Sequence, residues 1–215
     1  MANLKYWNDR YDALKKTGQV GHMKWAHNES EEEASIKNKI KCAISERIKK
    51  NKVVISFGCG LNNNLQMIKD ITGFSSCTGY DIVQAVLDES ANRYKSKDVH
   101  FKLYDGDIAG YDYGFMLYTL QHITDDIEAV ETLKVLYSSL DEVGALYVFD
   151  NISNNKDLDY LKFRSDGDHK KLFDSAGFTH EKLLTIVVTG QEVALYELKK
   201  KKAVKREGKR HTNGI

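Results

Sequence analysis

The sequence predicts an α/β protein: a seven-stranded, mostly parallel sheet with helices on both faces and an antiparallel hairpin at its C-terminal end. Three observations predict it. Short β-branched and aromatic runs alternate with helical periodicity from residue 53 to residue 149, the rhythm of a parallel sheet crossed over by helices. The first run turns on Gly58-Cys59-Gly60, and Asp81 closes the second. Near the C-terminus "KLLTIVVTGQEVALYELKK" reads as two strands joined at Thr189-Gly190-Gln191, so one strand must oppose the others.

Residues 4–16 and 31–50 read as helices. The second opens with Ser30 as N-cap and three glutamates in its first turn, and Ile36, Ile40, Ala43, Ile44 and Ile48 fall on one face. Strands are predicted at 53–57, 76–80, 99–104, 113–117 and 145–149, with helices near 62–72, 82–95 and 125–140. In the last of these a Thr124 cap and two aspartates precede an apolar stripe from Ile127 to Leu140. A helix near 168–176 ends at Gly177, and the hairpin follows. No internal repeat or linker interrupts the chain before residue 198. The expected organisation is one domain over 1–197, with residues 1–50 as a helical lid, and a basic tail over 198–215.

The composition of the 215-residue chain, 41% of it hydrophobic, supports one sizeable core. No run approaches the roughly 18 apolar residues of a membrane span. The N-terminus lacks an apolar signal region. Three cysteines (Cys42, Cys59 and Cys77) are far apart and form no Cys-x-x-Cys pattern, which argues against a disulfide framework and a zinc site. A protein without membrane contact, working in the cytoplasm, is the expectation. Proline is absent where about 5% is usual, a bias that an AT-rich gene produces. If that gene is viral, the compartment is the host cytoplasm. The absence excludes the Pro-Pro-aromatic loop of DNA amino-methylating enzymes and the Pro-Cys nucleophile of cytosine-C5 enzymes.

The net charge of +1 hides an asymmetry. Of 32 basic and 31 acidic residues, eight and one lie between Lys199 and Arg210, leaving 24 and 30, a net of −6, for the rest. An acidic body is a poor platform for a polyphosphate. A small-molecule partner is therefore favoured over a nucleic acid held by the tail, which reads first as a solubilising end.

The glycine turn suggests what the fold holds. In doubly wound, Rossmann-like sheets ligands bind beyond the carboxyl ends of the strands, where the strand order reverses. A carboxylate about 20 residues past the glycines takes ribose hydroxyls; Asp81 stands 21 residues after Gly60. The third glycine of a dinucleotide loop is missing, with Leu61-Asn62 in its neighbourhood. A helix start that need not press on a pyrophosphate points to a nucleoside cofactor rather than NAD.

Taken in order, these segments resemble the class I S-adenosylmethionine (SAM)-dependent methyltransferases over residues 6–197. "VVISFGCGLN" matches the glycine-rich motif, "GYDIVQAVLDESANRY" the ribose-binding segment, and "VHFKLYDGD" the third strand. "YDYGFMLYTLQHITD" matches the fourth strand with its loop, and "LDEVGALYVFDN" the fifth. "YWNDRYDA" resembles the opening of small members acting on metabolites or sugars.

The resemblance implies SAM as cofactor and methyl transfer to a small-molecule hydroxyl or amine. Gly58, Cys59, Gly60 and Asn62 would lie beneath the methionine part, Asp81 on the ribose and Ile82 on the adenine. Asp105, or else Asp107, would take the adenine amino group, with Gly106 allowing close approach. Tyr118, Leu120, Gln121 and His122 would line the pocket. Ser56 stands where the family usually places an acid for the cofactor ammonium. His122 is the candidate base, weighed against a merely structural histidine, and no metal ligands are expected. Cys59 reads as packing. Tyr6, Trp7, Tyr11, His22 and Trp25 would form the lid. An RNA-directed enzyme and a non-catalytic cofactor-binding protein are the alternatives.

Overall fold

The computed structural model describes residues 3–16, 31–61, 63–153, 155 and 157–201. Apolar strands alternating between two faces produce its layers. Seven strands form one sheet: β1 (Val53–Phe57), β2 (Ser76–Asp81), β3 (Val99–Leu103), β4 (Tyr111–Leu117), β5 (Leu140–Asn151), β6 (Phe178–Val188) and β7 (Gln191–Lys200). Their order is β3-β2-β1-β4-β5-β7-β6. All pairs are parallel except those of β7, which runs against both β5 and β6. The order reverses between β1 and β4, so the ends of those two strands open a crevice.

Helices cover both faces. In β5 Leu146 and Val148 face a core built with α5 (Asp126–Ser139) and α6 (Asp166–Ser175). Ala145, Tyr147 and Phe149 face the other, built with α2 (Glu31–Ile44) and α3 (Leu65–Thr72). A smaller cluster of Tyr11, Leu61, Val83 and Val86 docks α1 (Leu4–Lys16) on α4 (Gln84–Arg93). α1 thus crosses the mouth of the crevice.

Several boundaries differ from the sequence reading. β5 starts at Leu140 rather than 145, because Tyr111 pairs with Leu140 across a bulge that a polar "DEVG" run concealed. α2 stops at Ile44 and gives way to a 3-10 turn at Ser45–Arg47, where Arg47 is drawn to Glu181 and Glu197 at 2.8 and 3.0 Å. The α5 cap is Asp125, which accepts the Glu128 amide, and not Thr124. β7 continues to Lys200, so the strand crosses the domain boundary expected at 197. Lys199 pairs with Glu197 and Lys200 with Glu142. Ser30, His22, Trp25 and the tail from 202 onward lie outside the described residues. No described helix is long and apolar enough to cross a membrane.

One buried side chain ties the C-terminal half to the crevice. Arg164, 2% exposed, donates from Nε and Nη2 to Asp126 Oδ1 at 3.0 and 2.9 Å. It also donates to the Leu120 and Ile123 carbonyls at 3.0 and 2.6 Å. Those carbonyls belong to the loop after β4; that of Leu120 also accepts the Ile123 amide at 3.1 Å, and that of Ile123 is met by Arg164. Hydrogen bonds to a charged donor contribute about 1.5–3 kcal/mol each, and breaking a buried pair costs about 3–5 kcal/mol. Because Asp126 is half-exposed and can rehydrate, Arg164→Ala should cost less, about 2–3 kcal/mol by urea denaturation. An unchanged midpoint would show that the loop holds itself.

Candidate functional site

The crevice begins at the glycine turn. Gly58 and Gly60 have φ of 64° and 51°, in the left-handed region. A Cβ on Gly58 would lie 2.2 Å from the Thr119 methyl, so this position is closed by space as well as by torsion. A Cβ on Gly60 would meet nothing within 4 Å. Thr119 Oγ1 sits 3.2 Å from the Phe57 and Leu117 carbonyls and 3.4 Å from that of Gly58, and shares its one hydrogen among them. The ends of β1 and β4 are thereby bolted together.

Asp81 ends β2 beside this turn. Its Oδ2 accepts the Gly60 amide at 2.8 Å and its Oδ1 that of Val83 at 3.1 Å. Burial pushes its pKa up, opposed by the amides of Gly60, Val83 and Ile82. Each carboxylate oxygen has two acceptor sites, so the amides leave acceptor capacity on Asp81 for a ligand. Cys59 donates its amide to the Tyr80 carbonyl at 3.0 Å. Its sulfur fills the place left by the missing side chain of Gly79, where a Cβ would stand 2.9 Å away. Burial drives the Cys59 thiol well up, and the charge of Asp81 adds to it. That is packing chemistry, not nucleophile chemistry.

A cavity of about 380 Å³ opens from the turn. On one side it is lined by Gly58, Cys59, Gly60, Asp81 and Ile82; on the other by Tyr118 and His122. The structure therefore brings seven of the sequence-predicted residues together. Others stay outside the lining. Ser56 is buried within β1, flanked by Gly79 and Phe115, and follows Val54 toward the α2/α3 layer. Leu120, fully buried, packs in the core on the α5 side. Asp105 and Gly106 are exposed, because β3 stops at Leu103 and the chain turns away. Asp105 Oδ1 accepts the Asp107 amide of its own turn at 3.3 Å. Tyr104, Glu128 and Thr132 line the cavity on that side instead. Asn62 lies outside the described residues, and Gln121 is buried behind His122.

His122 forms the far wall. Its Nδ1 lies 3.0 Å from the Tyr160 carbonyl, which only accepts, so Nδ1 carries the hydrogen and Nε2 the lone pair. The Gln121 amide nitrogen lies 3.4 Å from Nε2, and the oxygen of that amide accepts from Asn151 Nδ2. Both contacts select the same neutral tautomer. Burial holds the His122 pKa below its ordinary value; the Tyr160 carbonyl and Asp150 oppose this, and Arg10 reinforces it. Trp7 of α1 meets the ring edge-on at 4.7 Å, and Asn3 Nδ2 donates to the His122 carbonyl at 2.7 Å. Tyr118 has φ of 54°, rare for an aromatic residue, and its amide is held by the Phe149 carbonyl at 2.7 Å. Burial raises the pKa of its phenol, followed by the charges of Asp150 and Glu32.

Several lining residues left no motif in the sequence. Lys37 follows Ile36 on α2 and donates to the Asn63 carbonyl at 3.3 Å. Arg10 and Tyr160 come from α1 and an irregular segment. Arg10 alone could have been suspected, one turn from Tyr6 and Trp7. Among the described residues no cluster of metal-ligating side chains occurs.

No family model matches the chain, and no curated protein matches it in sequence. Solved structures match its fold. The magnesium protoporphyrin IX methyltransferase of Synechocystis PCC 6803, with bound SAM, has a TM-score of 0.67 at 14% identity, over 89% of this chain and 96% of that one. YcgJ of Bacillus subtilis gives 0.61 at 9% identity, over 76% and 99%. Human N-acetylserotonin methyltransferase in complex with SAM gives 0.61 at 14% identity, over 79% and 54%. At these identities the likeness is one of fold: the seven-stranded, Rossmann-like sheet ending in an antiparallel hairpin.

The Gly58–Thr119 approach is open to test. Gly58→Ala adds left-handed strain of about 1–2 kcal/mol and overpacking of about 1–3 kcal/mol. It should therefore destabilise the protein by about 2–5 kcal/mol. Thr119→Ala in the same chain should recover the overpacking part. Additive losses in a double-mutant denaturation cycle would mean the two residues do not meet.

Proposed function

We propose that this protein is a SAM-dependent methyltransferase acting on a small molecule that carries a hydroxyl or amine. One observation carries the reading. Asp81 stands at the carboxyl end of β2, in a cavity at the point of strand reversal, with acceptor capacity left over from the backbone amides. Spare acceptor capacity on a carboxylate so placed suits the hydroxyls of a ribose. The volume lies within the roughly 300–1,000 Å³ of small-molecule sites. SAM bound to two proteins of this fold supports the choice of nucleoside.

In this reading Ile82 packs on the adenine, and the glycine turn passes beneath the methionine part. Tyr104, Glu128 and Thr132 replace Asp105 as the groups nearest the adenine side. Ser56, buried in the strand, leaves the ammonium to carbonyl oxygens and water. When bound, the cofactor supplies a methyl group on a positively charged sulfur, already activated for displacement. The protein's part is alignment, exclusion of water, and removal of the acceptor's proton. Neutral His122 performs the last step, taking the proton on Nε2 while Nδ1–H stays on the Tyr160 carbonyl. To do so Nε2 must exchange its 3.4 Å contact with the Gln121 amide nitrogen for the acceptor's hydroxyl or amine, because an imidazole nitrogen has one lone pair.

The topology favours a small acceptor over a nucleic acid. Asn151, at the cavity end of β5, pairs with Val193, whereas Leu198 pairs with Leu146. β7 therefore leaves the sheet at the end opposite the cavity, and the basic residues that follow start from there.

Two measurements test this. Asp81→Asn should weaken binding of S-adenosylhomocysteine by about 10- to 100-fold in calorimetry, the equivalent of one charge-assisted hydrogen bond or somewhat more. Unchanged affinity in a folded variant, or tighter binding of NAD, would reject the cofactor. His122→Asn should lower kcat by about 10²–10⁴-fold while leaving S-adenosylhomocysteine binding intact. The base must be neutral to act, and burial lowers its pKa. Wild-type activity should therefore hold down to about pH 6.5 and fall only below it. That acid limb should vanish in the variant; its persistence would assign it to another group.

A further inference from the structure

We infer that the acceptor is an anion: a compact, planar hydroxyl or amine compound whose carboxylate or phosphate is bound by Arg10. This rests on the methyltransferase reading and names its substrate class. The described residues include four arginines. Arg47, Arg93 and Arg164 each pair with a carboxylate at 3.0 Å or less. Arg10 makes no ion pair among the described residues; Nη1 donates to the Tyr6 hydroxyl at 3.2 Å. Yet this guanidinium lines the cavity. A planar fork of donors beside an open cavity is the group that binds carboxylate or phosphate with two parallel hydrogen bonds.

Its position assigns it to the acceptor rather than the cofactor. Arg10 lies on α1 with Tyr6 and Trp7, on the wall of the proposed base. Tyr6 stacks on Tyr160 with centroids 4.6 Å apart and planes 3° from parallel, and Tyr160 carries the carbonyl that holds His122. Trp7 stands edge-on to both Tyr6 and His122, at 5.1 and 4.7 Å. The cofactor's own carboxylate has a separate cation: Lys37, beside Asn63 on the loop that follows the glycine turn. The two acidic residues in the lining are placed elsewhere, Asp81 on the glycine turn and Glu128 on α5. Aromatic walls suit a planar body.

The pairing would also help the chemistry. The charge of Arg10 opposes protonation of His122, while Asp150 behind it favours protonation. An acceptor anion seated on Arg10 cancels the opposing charge, so His122 becomes the stronger base when the right substrate is present. A neutral analogue leaves the opposition in place.

The test uses the full-length protein saturated with S-adenosylhomocysteine and matched acceptor pairs. These are 4-hydroxybenzoate and 3,4-dihydroxybenzoate against their amides, and 4-hydroxyphenyl phosphate against its neutral dimethyl triester. Calorimetry should show each preferred anion binding at least tenfold more tightly than its neutral partner. Comparing the carboxylates with the phosphate tells which anion is read. Arg10→Ala should erase the preference without changing S-adenosylhomocysteine affinity, and Arg10→Lys should keep part of it. Equal binding of every pair would overturn the inference, as would a preference that survives Arg10→Ala. Failure of the wild type to bind S-adenosylhomocysteine at all would remove the reading beneath it, and is measured first.

Discussion

The site depends on one close approach, that of the β1 turn to the β4 loop. Thr119 occupies the space a side chain on Gly58 would need, and its hydroxyl is shared among three carbonyls of the two strands. This contact keeps the glycine turn low and open above, so backbone rather than side chains floors the cavity. It also brings a cost. The chain must pass through a left-handed Tyr118 immediately before Thr119, a conformation costing on the order of 1–3 kcal/mol. The Tyr118 amide bond to Phe149 and the edge-on contact of the two rings, 5.0 Å apart, offset it. Strain held by neighbours in this way marks positions where geometry matters more than stability.

The two walls of the cavity are built differently. The glycine side hangs on parallel strands, with amides and carboxylate fixed by the ladder. The His122 side is assembled from loop, helix and irregular chain, and buried polar contacts replace the ladder. Arg164 holds two carbonyls of the loop, Lys162 donates its amide to the Gln121 carbonyl at 2.8 Å, and Tyr160 orients the imidazole. Buried polar networks of this kind stabilise only when every member is satisfied. An error anywhere between 157 and 165 would thus be felt at His122, although that segment has almost no regular structure of its own.

This division explains what could be read from the sequence. β1 at Val53–Phe57, the Asp81 strand end and the hairpin were all legible, because each is set by local pattern: β-branched alternation, spacing from the glycines, a Thr-Gly turn. So was the gathering of Gly58, Gly60, Asp81, Ile82 and His122 at one end of the sheet, which follows from strand order. Asp105 and Gly106 lie outside the cavity lining, because an Asp-Gly-Asp turn satisfies its own backbone equally well pointing outward. Ser56 obeys the period of two along β1 and goes into the layer beneath, where Gly79 and Phe115 flank it. Thr119 and Tyr160 carry no local signature: Thr119 meets Phe57 and Tyr160 meets His122 across 62 and 38 residues of chain, which no local pattern contains.

Charge ties these parts to the choice of substrate. Outside the basic stretch that begins at Lys199 the chain carries a net −6, yet the cavity mouth holds the cations of Arg10 and Lys37. Fields of opposite sign on different length scales discriminate by size. In the proposed reading a compact anion on Arg10 lies within a Debye length of about 8 Å of the guanidinium, whereas an extended polyanion carries most of its charge beyond that distance and meets the net negative charge of the rest of the chain. Arg10 is itself exposed, so the pairing depends on the planar fork of the guanidinium and two parallel hydrogen bonds rather than on burial. In the proposed reading the same arrangement favours a small anionic acceptor over RNA or DNA, without any group dedicated to rejecting them.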